Sequence, residues 1–314
     1  MSNSTDNGLA FVRIVYLQET FVQLWMNGIY TGLFFVTLYG MVFKRPIYRT
    51  TPGLFVALIM MYILSTVHVI SDWILLKRGF IDNGETPDST GTYLFEGAPL
   101  WLAMTSAVAL TVNTMIADFV LIWRCWTMWN HNWVVVTLPI LCTLAGTALG
   151  FADIHEQAQF IINPDADVTY FNFATPYFSL SLVTTCLATI LIIYRIFMMS
   201  DSETRKARGY TRVIEIIVES AFLYSVTLIV FLPYLVESSI DDGYPQVVLA
   251  QMTGIAPTLI VARVTFGLAR PDETWQGTMS SIRMRSMPSG SRVTNTVAFG
   301  GLSDGSHASK PESF

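Results

Sequence analysis

Long apolar runs alternate along the chain with short polar connections. Seven such runs cover Phe21–Phe43, Gly53–Leu76, Ala98–Trp123, Trp133–Ala152, Thr175–Met199, Val213–Val236 and Gln246–Leu268. Each is close to the ~20 residues that cross a bilayer as a helix. Helix is the conformation these runs predict, because an open strand leaves its backbone polar groups unpaired in lipid. The pattern therefore predicts an all-α membrane protein, a seven-transmembrane-helix bundle over residues 21–268. A short polar N-terminus, 1–20, precedes it. A surface helix over 269–286 and a disordered tail over 287–314 follow it.

Basic residues set the orientation. Lys44, Arg45 and Arg49 follow the first run, and Arg124 the third. Arg205, Lys206, Arg208 and Arg212 follow the fifth, and Arg270, Arg283, Arg285, Arg292 and Lys310 the seventh. The opposite connections carry only Arg13, Lys77 and Arg78. The N-terminus is thus expected outside and the C-terminus in the cytoplasm, in a multi-pass protein of the plasma membrane or another endomembrane. The outer connections are acidic, with Asp82, Glu85, Asp88 and Glu96, then Asp153, Glu156, Asp165 and Asp167, then Glu237, Asp241 and Asp242. An acidic mouth favours cationic or neutral ligands over anions; a plain solvated loop surface has the same composition.

Composition agrees with the pattern. The 314 residues are 52% hydrophobic and 13% charged, with a mean hydropathy of +0.49. A soluble domain carries about 25% charged residues. A net charge of −5 argues against a nucleic-acid partner. The three cysteines, Cys125, Cys142 and Cys186, lie in or beside apolar runs, so no disulfide framework is readable. No signal for cleavage precedes the first run, which is expected to direct insertion itself. Asn3-Ser4-Thr5 forms a glycosylation sequon, usable only if that end faces outside.

Ionisable groups inside apolar runs are costly in a bilayer and belong on the bundle interior. Asp118, Glu219 and Arg263 fall at one depth, each six or seven residues from an inner arginine. At 1.5 Å per residue that is roughly 9–11 Å inside the boundary. They could form an inner polar cluster, either a latch whose opening exposes Arg124, Arg205, Lys206 and Arg208 to a cytoplasmic signalling partner, or a static bridge. Thr111, Thr114 and Asp118 share one helix face, which should point inward. Nearer the outside, Ser65, His68 and Asp72 share a face of the second run. His68 and Asp72, with Trp101, are candidates for a ligand pocket wall; an interhelical polar contact is the alternative. Trp123, Trp126, Trp129 and Trp133 form an aromatic belt at the third-run exit. Pro139, Pro176, Pro233 and Pro257 remove backbone donors within the spans and tend to kink them.

The common catalytic motifs, HExxH, GxSxG and the P-loop, are absent. Only His68 among the four histidines falls in a run, which argues against a metal hydrolase with several His ligands. The last run contains no lysine for a retinal Schiff base. No cofactor, metal or catalytic residue is indicated, and the sequence points away from an enzyme.

Three stretches taken together resemble a known group. They are Ala117-Asp118 through Arg124-Cys125-Trp126 with Trp129 and Trp133; Ile214-Glu215 through Glu219-Ser220-Ala221 with Tyr224; and Gly254-Ile-Ala-Pro257-Thr-Leu-Ile260 with Arg263 and Gly267. The combination is similar to a large group of seven-span membrane proteins of mushroom-forming (basidiomycete) fungi, over all seven spans but not the tail. That resemblance implies an integral membrane protein and carries no established activity with it. Likeness to G-protein-coupled receptors is only broad: the outer cysteine of the third span, an acid beside Arg124 and an NPxxY in the seventh span are all missing. The sequence leads to a receptor or sensor of a small ligand, with a proton- or cation-coupled transporter or permease as the alternative.

Overall fold

The computed structural model describes residues 2–44, 52–163, 172–200, 207–237 and 243–266. Eight α-helices account for nearly all of them: α1 Ser2–Tyr39, α2 Pro52–Lys77, α3 Pro87–Glu96, α4 Leu100–Met128, α5 Trp133–Ile162, α6 Ala174–Ser200, α7 Ala207–Glu237 and α8 Gly243–Thr265. Seven of these, all but α3, are long and apolar enough to cross a membrane. The protein is an all-helical bundle with seven apolar helices, the architecture of an integral multi-pass membrane protein.

Three features depart from the sequence reading. Residues 2–20 continue α1 rather than forming a separate segment, and the apolar part of that helix begins at Phe11. Arg13 and Glu19 lower the local hydropathy without ending the helix. The fourth and fifth helices also run past the apolar limits, to Met128 and Ile162. Helix α3 lies wholly within the connection between α2 and α4. Thr86 starts it: its hydroxyl accepts from Ser89 N–H while the Ser89 hydroxyl accepts from Thr86 N–H, with Pro87 in the first turn. That reciprocal cap satisfies two helix-end donors at once. The surface helix and tail expected over 269–314 lie outside the described residues, as do Arg205 and Lys206. Asn3 and Arg208 lie on the backbone of α1 and α7.

The spans pack in a closed ring, α1–α2–α4–α5–α6–α7–α8, with α4 also against α6 and α8, and α8 also against α2. Helix α8 is the hub, with 72% of its apolar window buried, against 56% for α4 and 28–39% for the other five. Lipid tails are as apolar as leucine, so helices associate through close packing and polar contacts. Both are present. A Cβ at Gly254 of α8 would lie 2.6 Å from Tyr30 Cζ, so only glycine admits that fully buried ring between α1 and α8. At Gly150 of α5, Thr111 Cγ2 stands at 3.0 Å and the Tyr177 ring at 3.3 Å from the same position, which seats α5 on α4 and α6.

The aromatic belt at the α4 exit is a folded corner. Asn130 and His131 adopt left-handed φ of 53° and 64°, and the His131 N–H donates to the Trp126 carbonyl at 3.0 Å. The Trp126 ring meets His131 edge-on, with centroids 4.2 Å apart, and tilts against Trp133 at 5.0 Å. Asn132 then caps α5 by accepting from Val134 N–H. Trp129 Nε1 donates to the Leu191 carbonyl at 3.1 Å, Arg195 Nε donates to the Met128 carbonyl at 3.3 Å, and the Arg195 guanidinium covers the Trp129 ring. The corner is thereby fastened to α6.

Candidate functional site: a polar interior in three layers

The first layer joins α1, α2 and α4. Gln23 Nε2 donates to Asp72 Oδ2 at 2.6 Å and lies 2.7 Å from His68 Nδ1. His68 Nδ1 stands 3.3 Å from Asp72 Oδ2, and Ser106 Oγ donates to Asp72 Oδ1 at 3.0 Å. His68 and Asp72 therefore do meet, as their i, i+4 spacing requires, but they face Gln23 and Ser106 of neighbouring helices. Trp101 is not with them. It is more than half exposed, and the Arg78 guanidinium lies over its ring at 5.4 Å. Of the three residues expected to line a pocket, His68 and Asp72 meet at an interhelical node, and Trp101 stands apart at the surface. Five residues separate Trp101 from Ser106, about 140° around the helix, which sends the two side chains to different faces.

The second layer lies two turns further in. Ser65 is seven residues from Asp72, and Asn113 seven from Ser106, each about 10 Å along its helix. Ser65 Oγ donates to Gln251 Oε1 at 2.9 Å, and Asn27 Nδ2 approaches the same oxygen at 3.4 Å. One amide of α8 thus holds α1 and α2 together. Gln251 is fully buried, and its Nε2 has no acceptor among the described residues; Asn113 Oδ1 and Gln23 Oε1 likewise have no donor.

Asp118 forms the third layer. Ser181 Oγ donates to its Oδ1 at 3.2 Å, and the Tyr224 hydroxyl lies 3.1 Å from the same serine oxygen. The Tyr177 hydroxyl donates to the Thr111 carbonyl at 3.2 Å two turns away. Thr111, Thr114 and Asp118 are all buried, so the face predicted to point inward does so. Arg263 and Glu219 form an ion pair between α8 and α7, but Asp118 is not in it. Glu219 is half exposed and Asp118 buried. The depth match is sound for two of the three groups. Angle separates the third: Glu219 and Tyr224 are five residues apart, about 140° around α7, so the helix cannot present both to Asp118. Arg124 leaves the apolar part of α4 with Nε buried and without an acceptor among the described residues.

Sequence reasoning does not single out Gln23, Asn27 and Gln251. Their signal is nonetheless present: uncharged amides inside apolar runs, Gln23 and Asn27 spaced i, i+4 on one face. Beside the third layer, α4, α7 and α8 enclose an interior space of about 10 Å3 between Ala117, Tyr224, Thr253 and Pro257, the room one water needs. The layers can hold helices in register, carry protons or respond to a bound cation. The chain matches no family model, no curated protein and no solved structure.

Proposed function

We propose that this protein is a seven-helix receptor or sensor of a small ligand, not an enzyme, in the plasma membrane with its N-terminus outside. The Lys and Arg distribution supports the orientation. One observation carries the reading. The buried hub α8 is tied at Gln251 to α1 and α2, contains Pro257 within its length, and is paired at Arg263 to α7. Proline removes one rung of the helical ladder and leaves a weak point there. A ligand that displaces α1 or α2 at the outer layers pulls on α8 above that point. The inner end of α8 then moves against α7 and carries the Arg263–Glu219 pairing with it. The basic connection before α7 would carry the change to a cytoplasmic partner.

A second reading, a proton- or cation-coupled transporter, draws on the unpaired amide atoms Gln251 Nε2 and Asn113 Oδ1, which stand between the His68/Asp72 layer and Asp118. Purified protein in sealed vesicles with an imposed pH gradient separates the two. The sensor reading expects no proton flux above empty vesicles. A flux abolished by Asp118→Asn would refute it in favour of transport.

A further inference from the structure

We propose that the paired ends of α1 and α2 form a binding site for an anionic phospholipid. Arg13, Lys77 and Arg78, the few cations of the expected outer side, lie near where the apolar part of α1 begins and α2 ends. The Arg13 guanidinium lies over the Phe80 ring at 5.6 Å, and its Nε is buried with no acceptor among the described residues. Lys77 is exposed and sits three residues from Phe80. Arg78 turns the other way, over Trp101 on α4. No carboxylate among the described residues forms an ion pair with Arg13 or Lys77, although Asp82, Glu85 and Asp88 lie in the same connection.

Below these two cations, α1 and α2 leave an open apolar groove of 270 Å3 lined by Leu17, Phe21, Leu24, Trp73, Lys77 and Phe80 among others. Thr20, the lone hydroxyl in its wall, is committed to the Tyr16 carbonyl at 2.8 Å. The groove runs from Leu17 to Leu24, about 10 Å along the helix. Its chemistry has two halves. A rim of two unpaired cations suits a phosphate. A groove with no free polar group suits a hydrocarbon chain. A soluble anion uses only the rim, and a zwitterionic lipid cancels its own charge there. An anionic phospholipid satisfies both, with its phosphate between Arg13 and Lys77 and one acyl chain against Phe21 and Trp73.

The test incubates the purified full chain with vesicles of equal phosphatidylglycerol and phosphatidylcholine, matched in acyl chains, and counts retained lipids by native mass spectrometry. Each cation at a membrane surface favours an anionic lipid by about fivefold. Phosphatidylglycerol should be retained about tenfold or more over phosphatidylcholine. Selectivity should fall to about twofold in the Arg13→Ala/Lys77→Ala variant and persist in Lys77→Arg, which keeps the charge. Leu24→Trp fills the groove and should reduce phosphatidylglycerol retention with the rim intact. Equal retention of the two lipids overturns the proposal, and so does unchanged selectivity in the double alanine variant. Competition by glycerol phosphate as effective as that by the lipid would show a bare anion site and overturn the lipid assignment.

Discussion

Adding one methyl group to Gly254 tests how closely α1 and α8 are pressed together. At an open helical position alanine is favoured over glycine by about 0.5–1 kcal/mol, because glycine surrenders more backbone freedom. Gly32 of α1 is such a position, where an added Cβ would meet nothing within 4 Å. At Gly254 the same carbon would stand 2.6 Å from Tyr30 Cζ and 2.7 Å from Tyr30 Cε1 and Oη, against a contact distance of about 3.5–4.0 Å. The ring has no easy retreat. Tyr30 is fully buried and meets Tyr62 edge-on with centroids 5.7 Å apart, and Tyr62 is itself stacked on Phe34 at 4.2 Å. Overpacking a filled core costs about 1–3 kcal/mol. Gly254→Ala should therefore destabilise while Gly32→Ala stabilises, a gap of about 1.5–4 kcal/mol between chemically identical substitutions. Equilibrium unfolding in mixed micelles, followed by circular dichroism, measures both. In a Tyr30→Ala background the penalty at Gly254 should vanish. Equal effects at Gly32 and Gly254, or a Gly254 penalty that survives removal of the ring, would refute the packing argument.

Other substitutions probe the polar layers. Gln251→Leu takes the acceptor from Ser65 and Asn27 together and should cost about 1–2 kcal/mol in the same unfolding assay; a neutral result would mean α8 is not tied there. Asp118→Ala and Arg263→Ala should be additive within about 0.5 kcal/mol, because the two groups have separate partners. Exchanging their charges should rescue nothing, and a rescue would restore the single cluster. Trp129→Phe loses its bond to the Leu191 carbonyl and should cost about 1 kcal/mol, read as earlier thermal unfolding in micelles.

The spans are legible because a helix in lipid must be long and apolar, and seven stretches meet that demand. Their ends are less so. Arg13 and Glu19 weaken the apolar signal of α1, yet helical hydrogen bonds do not depend on it. Helix α3 has a readable start in Thr86-Pro87-Asp88-Ser89, a cap and a first-turn proline inside a connection whose polarity suggests loop. Spacing within one helix places His68 with Asp72, and Thr111 with Thr114 and Asp118, correctly. Relations between helices are harder to read. Depth brings Glu219 and Arg263 together, but depth says nothing of rotation, and rotation gives Asp118 to Ser181 instead. Gln23 joins His68 and Asp72 from 45 and 49 residues away, a distance that no local periodicity spans.

The most direct test of the seven-span account is the sidedness of the two ends. Short tags at each terminus are probed with antibody in intact and in permeabilised cells. An odd number of crossings, oriented by the basic connections, predicts an N-terminal tag reached in intact cells and a C-terminal tag reached only after permeabilisation. Both tags reached on the same side would contradict it.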